Sequence, residues 1–174
     1  MTLLLKQLFT FLKILNSETG TNQIASGITA GFILGMGPFL SLQGLLIFLS
    51  VLIFRIQFGA VLISAFFFAF IAWIFGPLFN SIGLWALNLD TLQGPWTTLY
   101  NLPLMPFTLF NNSVVMGAAI TSLILAPLIF ILAKLLVSKY RTLIVERFKQ
   151  TKTWKLIKAT ALYKWYYKYD SLYN

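Results

Sequence analysis

Long apolar stretches, separated by short polar or glycine- and proline-containing turns, dominate the pattern along this chain. The stretch over residues 22–54 is divided at Gly37-Pro38 into two parts, and each part would rise only about 21 to 24 Å as a helix. The hydrocarbon core of a bilayer is about 30 Å thick, so neither part crosses it alone. Residues 22–54 therefore predict a broken or re-entrant helix pair, with one proline-kinked crossing as the alternative.

A second apolar stretch, residues 58–89, contains the same dipeptide at Gly76-Pro77. It predicts one crossing followed by a short helix after the break. Residues 90–112 hold no lysine or arginine but carry tryptophan and tyrosine, which is typical of a loop at the outer membrane interface. Residues 113–137 are long enough to cross the membrane with some tilt, and they predict an uninterrupted span.

Both ends of the chain predict helices that lie on a membrane surface. Over residues 1–15, Lys6, Thr10 and Lys13 share one helical face and leucines fill much of the rest. A cleaved signal peptide is the alternative for this segment. Residues 138–174 interleave basic and aromatic side chains, which favours a basic cytoplasmic tail on anionic lipid. A docking segment for a cytoplasmic partner is the alternative for the tail.

Composition places these segments in a membrane. The chain is 59% hydrophobic and only 10% charged, whereas soluble domains carry about 25% charged residues. We therefore expect an all-α integral membrane protein that forms a single membrane domain over residues 1–174. The net charge of +9 is concentrated after residue 133, which predicts that both termini lie in the cytoplasm. This placement favours contact with anionic lipids of the inner leaflet over nucleic-acid binding.

The titratable residues argue against catalysis. The chain contains no cysteine and no histidine, which excludes disulfides and the usual zinc and haem ligands. The acidic residues Glu18, Asp90, Glu146 and Asp170 are scattered between distant segments. An enzyme needs titratable groups that converge. We therefore expect no catalytic residue, no metal site and no cofactor.

Short apolar segments interrupted by glycine and proline are the best sequence indication of a binding site in small transporters. The candidate substrate- or lipid-binding residues are Ser41, Gln43 and Arg55 around the first break, and Asn80 and Ser81 at the second. In the alternative interpretation these polar groups only cap helix ends or join neighbouring helices.

The pair Asn111 and Asn112 ends the loop predicted to lie outside the membrane. It is a candidate surface for docking an extracytoplasmic partner. Asn112 is also a natural N-cap for the last span, and this alone would explain its presence.

Four stretches of the chain resemble a small family of uncharacterised bacterial membrane proteins of nearly this length. They are Leu15-Asn16-Ser17-Glu18-Thr19, residues 23–55, Leu99-Tyr100-Asn101 with Pro103, and residues 110–117. Residues 25–87 also look like a domain of unknown function that occurs alone or fused to glycosyltransferases. That domain usually has asparagine two residues after the arginine, where this chain has Gln57. The resemblance implies a large envelope protein as an obligate partner.

These observations lead to two functional hypotheses. In the first, the chain is a non-catalytic inner-membrane component of a bacterial envelope assembly, acting with a larger partner protein in lipid transport. In the second, it is a small oligomeric transporter or lipid flippase, a possible homo-oligomer with its site at the Gly-Pro helix breaks.

Overall fold

The computed structural model describes residues 19–54 and 56–146, together with Gln7, Thr10 and Ile14. In this part of the chain every regular element is helical. The helices are α1 (Thr21–Met36), α2 (Leu42–Ile53), α3 (Phe58–Leu87), α4 (Asp90–Tyr100) and α5 (Ser113–Tyr140), with a 3-10 turn at Met105–Thr108 and a π-helical turn at Arg141–Glu146. The predicted surface helix, except for those three residues, lies outside the described part. So do Arg55 and the tail after Glu146.

Helix α1 packs against α3 through a row of glycines spaced four residues apart. A Cβ atom added at Gly27 would lie 2.7 Å from the carbonyl oxygen of Gln57, and one added at Gly35 would lie 2.6 Å from that of Ala65. A Cβ at Gly31, between them, would overlap the backbone of α3 as well. This small-residue face therefore brings the two backbones into close contact, as a spacing of one glycine every four residues allows.

Helices α1 and α3 run in the same direction, because successive glycines of α1 meet successive turns of α3. The chain returns between them through α2. After α2, the amide of Gln57 donates to the carbonyl of Gln23 at 3.4 Å, close to the start of α1. Residues 22–54 thus form a helical hairpin whose two ends meet, rather than one kinked helix.

Helix α5 runs antiparallel to α3 and completes a core of three helices. Gly83 of α3 and Gly117 of α5 meet so closely that a Cβ at either would overlap the backbone of the other helix. At the opposite end of α3, a buried cluster joins all three helices to the N-terminal segment; it comprises Ile14, Ile24, Ala60, Ile63 and Val137. We call this the Thr21 end of the bundle, and the opposite one, which carries α4, the Asp90 end.

The prediction that the helix breaks at Gly76-Pro77 is wrong. Helix α3 is 30 residues long and runs through Pro77 without interruption, so the predicted separate short helix does not form. An internal proline removes one helical hydrogen bond, and packing on both sides outweighs that loss. The first half of α3 packs on the glycines of α1, and the second half is fixed against α5 at Gly83.

The segment predicted as a loop over residues 90–112 is also more regular than expected. It contains α4, which includes Pro95, and the 3-10 turn Met105–Thr108. Leu104 and Leu109 flank this turn with φ values of 72° and 59°. This left-handed conformation is unfavourable for leucine, so local contacts must hold the backbone there.

Within the described residues, two helical segments are long and apolar enough to cross a membrane, namely Phe58–Leu87 and Ser113–Leu143. Only 22% of the most apolar window of each is buried within the protein. Large side chains therefore point outward along their length, for example Trp73 at 83% exposure. Helix α2 is similar, since Ile53 and Phe54 at its end are both exposed.

Candidate functional site

Ser41 is engaged in the hairpin turn. Its hydroxyl donates to the carbonyl of Pro38 at 2.8 Å and accepts from the amide of Gly44 at 3.1 Å, so it caps the N-terminus of α2. Gly44 has no room for a side chain, because its Cβ would overlap the carbonyl of Phe39. The side chain thus has the capping role that was the alternative to ligand binding.

The other two candidates at the first break are less constrained. Gln43 is half-buried beside the turn, with its amide nitrogen 3.9 Å from where a Cβ on Gly37 would lie. It makes no hydrogen bond to another residue in the described part of the chain. Arg55 lies outside the described residues, so its predicted role stays a prediction.

The candidates at the second dipeptide are held by two different sets of contacts. The hydroxyl of Ser113, at the start of α5, donates to Oδ1 of Asn80 and thereby links α3 to α5. Ser81 is exposed and donates to the carbonyl of Pro77 at 3.2 Å, within its own helix. Asn80 thus joins neighbouring helices, which was the alternative interpretation for these polar residues.

Asn112 caps α5. Its Oδ1 accepts from the amides of Val114 at 2.9 Å and Val115 at 3.2 Å, which satisfies two of the unpaired amides at the helix start. Asn111 is exposed beside it. The capping prediction for Asn112 is confirmed, whereas a partner-facing role for either asparagine stays a prediction.

The structure therefore does not assemble the sequence candidates into one site. Ser41 and Gln43 lie together at the hairpin turn, while Asn80 lies within the crossing of α3 and α5. Most of the described candidates already use their polar atoms to stabilise the backbone or a helix contact. Among the described residues there is also no group of three or more acidic side chains that could hold a metal ion.

Two structural residues were not found by sequence reasoning. Gln57 caps α3, since its Oε1 accepts from the amide of Ala60 at 2.8 Å. Arg141 joins the end of α5 to the start of α1: its guanidinium donates to the carbonyl of Thr19 at 2.7 Å and to the hydroxyl of Thr21 at 3.3 Å. In the sequence Arg141 is one of many basic residues after residue 133, and no local pattern distinguishes it from the rest.

A further feature that the sequence did not predict is a cavity of about 500 Å³ between α1, α2 and α5. We call it the lateral groove. Its defining residues are Ser26, Thr29, Ile33, Ser50, Pro127 and Phe130. They are contributed by the hairpin α1–α2 and by α5, which is distant from it in sequence, so no local motif could have revealed the groove.

A second cavity, of about 600 Å³, lies between the hairpin turn and the 3-10 turn that follows α4. Phe39, Leu40 and Phe48 line it from the hairpin, and Leu104 and Phe107 line it from the turn after α4. Among the described residues that line this cavity, only Ser41 has a polar side chain, and its hydroxyl already forms the hydrogen bonds of the turn.

The described part of the chain is thus an all-helical protein with two helices long and apolar enough to span a membrane. It is similar to an uncharacterized protein of Treponema pallidum (strain Nichols), with 26% identity over 161 residues that cover 92% of this chain and 99% of that protein. No family model and no solved structure matches. The expected likeness to a domain fused to glycosyltransferases therefore finds no support, while a likeness to an uncharacterised bacterial protein does.

Proposed function

We propose that this protein is a non-catalytic, multi-pass component of a bacterial inner membrane that handles lipid within an envelope assembly, together with a larger partner protein. The observation that carries this proposal is the lateral groove, a mostly apolar cavity between helices whose outer surfaces are also apolar. A groove of this kind suits a lipid that enters sideways from the bilayer.

Membrane insertion is supported by the long helices and by the distribution of charge. In the described part of the chain, Lys134, Lys139 and Arg141 all lie toward the Thr21 end, while Asp90 lies at the other end. Basic residues favour the cytoplasmic side of a membrane. The Thr21 end is therefore cytoplasmic in this proposal, and the hairpin α1–α2 enters and leaves from that side.

The absence of catalysis is proposed from the use of the polar side chains. Ser41, Gln57 and Asn112 each satisfy backbone groups at a helix start. Asn80 serves the contact between α3 and α5. Side chains held in this way contribute to stability and leave few groups for acid–base or nucleophilic chemistry.

A flippase or transporter formed by several copies of this chain is the second candidate, because a flippase also needs a lateral opening for lipid. The sequence suggests this candidate through its two Gly-Pro dipeptides, each of which is predicted to break a helix. One of the two, Gly76-Pro77, is continuous helix, so the symmetry that suggested a central transport site is lost.

Orientation is tested with single cysteines, which are easily introduced because the chain has none. Asn22→Cys, Phe54→Cys, Thr97→Cys and Lys139→Cys all change exposed side chains. On intact spheroplasts, we expect a membrane-impermeant thiol reagent to label only the Thr97 variant, and permeabilised cells to label all four. Labelling of Phe54→Cys before permeabilisation would contradict the hairpin, and labelling of Lys139→Cys would reverse the orientation.

Function is tested by isolation in mild detergent and by reconstitution. Under the first hypothesis, the native protein co-isolates with a large envelope protein, and the purified chain alone does not move fluorescent lipid across vesicle membranes. Lipid translocation by the purified chain would favour the flippase instead. Repeated recovery of a lone monomer would contradict the assembly.

A further inference from the structure

We propose that the lateral groove holds one acyl chain of an anionic phospholipid and that Lys134 binds the phosphate of the same lipid. This inference rests on the proposed function only in requiring that the protein lie in a bilayer. It assigns a site different from the candidates that the sequence suggested.

The interior of the groove suits a hydrocarbon chain. Ile33, Ile47 and Phe130 present apolar surface from α1, α2 and α5. Thr29 and Ser50 also line the cavity, but each donates its hydroxyl to its own helix, at 2.9 and 2.8 Å. These two hydroxyls thus need no ligand to satisfy their hydrogen atoms, and the wall they form is effectively apolar.

Two polar groups in the groove lack such a partner. Ser26 makes no hydrogen bond to another residue in the described part of the chain, so its hydroxyl is available to a ligand. Pro127 has no amide hydrogen, so the carbonyl of Leu123 lacks the donor that an uninterrupted helix would supply. Both Leu123 and Pro127 line the groove. A few polar groups among apolar walls are typical of pockets that bind small ligands.

Lys134 extends the same face of α5 toward the Thr21 end. The groove-lining residues of α5 recur at Leu123, Pro127 and Phe130. The next residue on this face, four positions after Phe130, is Lys134, and its side chain is exposed. Within residues 19–54 and 56–146, no ion pair involves Lys134.

The depth of Lys134 also fits a phosphate group. A helix that starts at Ser113 covers the roughly 30 Å of hydrocarbon in about 20 residues, which ends just before Lys134. A lysine at that level extends its ammonium group into the headgroup layer while its methylene groups stay among the chains. The charge then lies at one end of an apolar groove, which is the arrangement of an anionic phospholipid.

Other basic residues at this end are placed differently. Lys139 is nine residues after Phe130, which puts it on the opposite face of α5. Arg141 is bonded to Thr19 and Thr21 of the N-terminal segment. Lys134 is therefore the described basic side chain that faces the groove.

The size of the groove favours an acyl chain over a protein segment. A helix with its side chains is about 10 Å wide, and a stable protein contact buries about 800 Å² on each partner. A cavity of about 500 Å³ lies instead in the range that accommodates a single small ligand.

The test uses fluorescence quenching by lipids with brominated acyl chains. The full-length protein carries a single labelled cysteine, either at Ser50 in the groove or at Ile74, which is 66% exposed on the outer face of α3. Each labelled protein is reconstituted in phosphatidylcholine vesicles with increasing fractions of brominated phosphatidylglycerol or brominated phosphatidylcholine. The Ile74 label reports contact with bulk lipid, and the Ser50 label reports occupancy of the groove.

At Ser50, we expect half-maximal quenching at an about fivefold lower fraction of phosphatidylglycerol than of phosphatidylcholine, because one lysine near the lipid charge contributes about 1 kcal/mol. The Lys134→Gln variant should lose this preference. Its matched control, Lys139→Gln, removes the same charge from the other face of α5 and should retain the preference. At Ile74 both lipids should quench equally.

Equal quenching by the two lipids at Ser50, with normal quenching at Ile74, would overturn this inference and leave the proposed function standing. Equal loss in Lys134→Gln and Lys139→Gln would overturn it too, because it would show general attraction rather than a site. A groove-filling variant, Ala126→Phe, should reduce quenching at Ser50, and unchanged quenching would exclude the groove as the chain's location. Absence of quenching at Ile74 would overturn membrane insertion, and the inference with it.

Discussion

The dipeptide Gly-Pro occurs at Gly37-Pro38 and again at Gly76-Pro77, yet the backbone leaves the helix at the first and stays helical through the second. At the first position, Gly37 ends α1 in an extended conformation, and Ser41 caps a new helix four residues later. At the second, an 18-residue helical segment precedes the glycine. The dipeptide alone therefore does not determine whether a helix ends.

The surroundings of the two dipeptides explain the difference. After Pro38, the turn is closed by both hydrogen bonds of Ser41 and by the close approach of Gly44 to the backbone. After Pro77, the contact that matters is tertiary, because Gly83 fixes the helix against α5. A local cap thus stabilises the break, and a distant contact stabilises the continuation.

The largest expected effect comes from filling the contact that keeps α3 straight. Gly83→Ala places a Cβ against the backbone of Ser113, and overpacking of this kind costs about 3 kcal/mol. We expect a large fall in the midpoint of unfolding, measured by circular dichroism as sodium dodecyl sulfate is added to detergent-solubilised protein. The matched control is Gly76→Ala, where nothing lies within 4 Å of the new Cβ. That variant should be as stable as the parent or more so, and a similar loss in both would contradict the explanation.

A smaller effect is expected from removing the cap of the first break. Ser41→Ala deletes both hydrogen bonds at the hairpin turn and should lower the free energy of unfolding by about 1 kcal/mol. Ser81→Ala is the control, because that exposed hydroxyl only bonds back to its own helix. The control should change stability by less than about 0.5 kcal/mol in the same titration. Equal losses would mean that the turn does not depend on its cap.

The smallest effects, of opposite sign, are expected at the prolines themselves. Pro77→Ala restores an amide that can donate to the carbonyl of Trp73 and should stabilise the protein by about 0.5 kcal/mol. Pro38→Ala leaves the folded turn intact but raises the conformational entropy of the unfolded chain, so it should destabilise the folded protein by about 0.5 kcal/mol. Shifts of the same sign in thermal unfolding of the two variants would show that the prolines occupy equivalent environments.

Small residues and caps were the predictable part of this fold. The cap at Asn112 was predicted and is confirmed, and the glycine face of α1 corresponds to a local pattern of one glycine every four residues. Helices α3 and α5 are apolar on all sides, so hydrophobic periodicity could not show which face of either packs inside. Only backbone contacts such as those of Gly83 indicate that face.

The lateral groove and the contacts of Arg141 could not be predicted from the sequence, for a related reason. Arg141 meets a residue 120 positions earlier, and the groove joins three helices from opposite ends of the chain. Such pairings are decided by the competition among many alternative packings. A single sequence records the outcome only where a residue type is specialised for close contact, and serine, threonine and proline in the groove are not.

The meeting of Gln23 and Gln57 has a consequence for how this protein is made. In the proposed orientation, α1 and α2 reach their places without the export of any polar segment, and the insertion machinery has to translocate only residues 88–112, whose single charge is Asp90. The hairpin also leaves the number of membrane crossings unchanged, because it enters and leaves the membrane from the same side. Its gain or loss during evolution would leave α3 and α5 facing the same way, so a two-helix unit of this kind can be exchanged without inverting the rest of the chain.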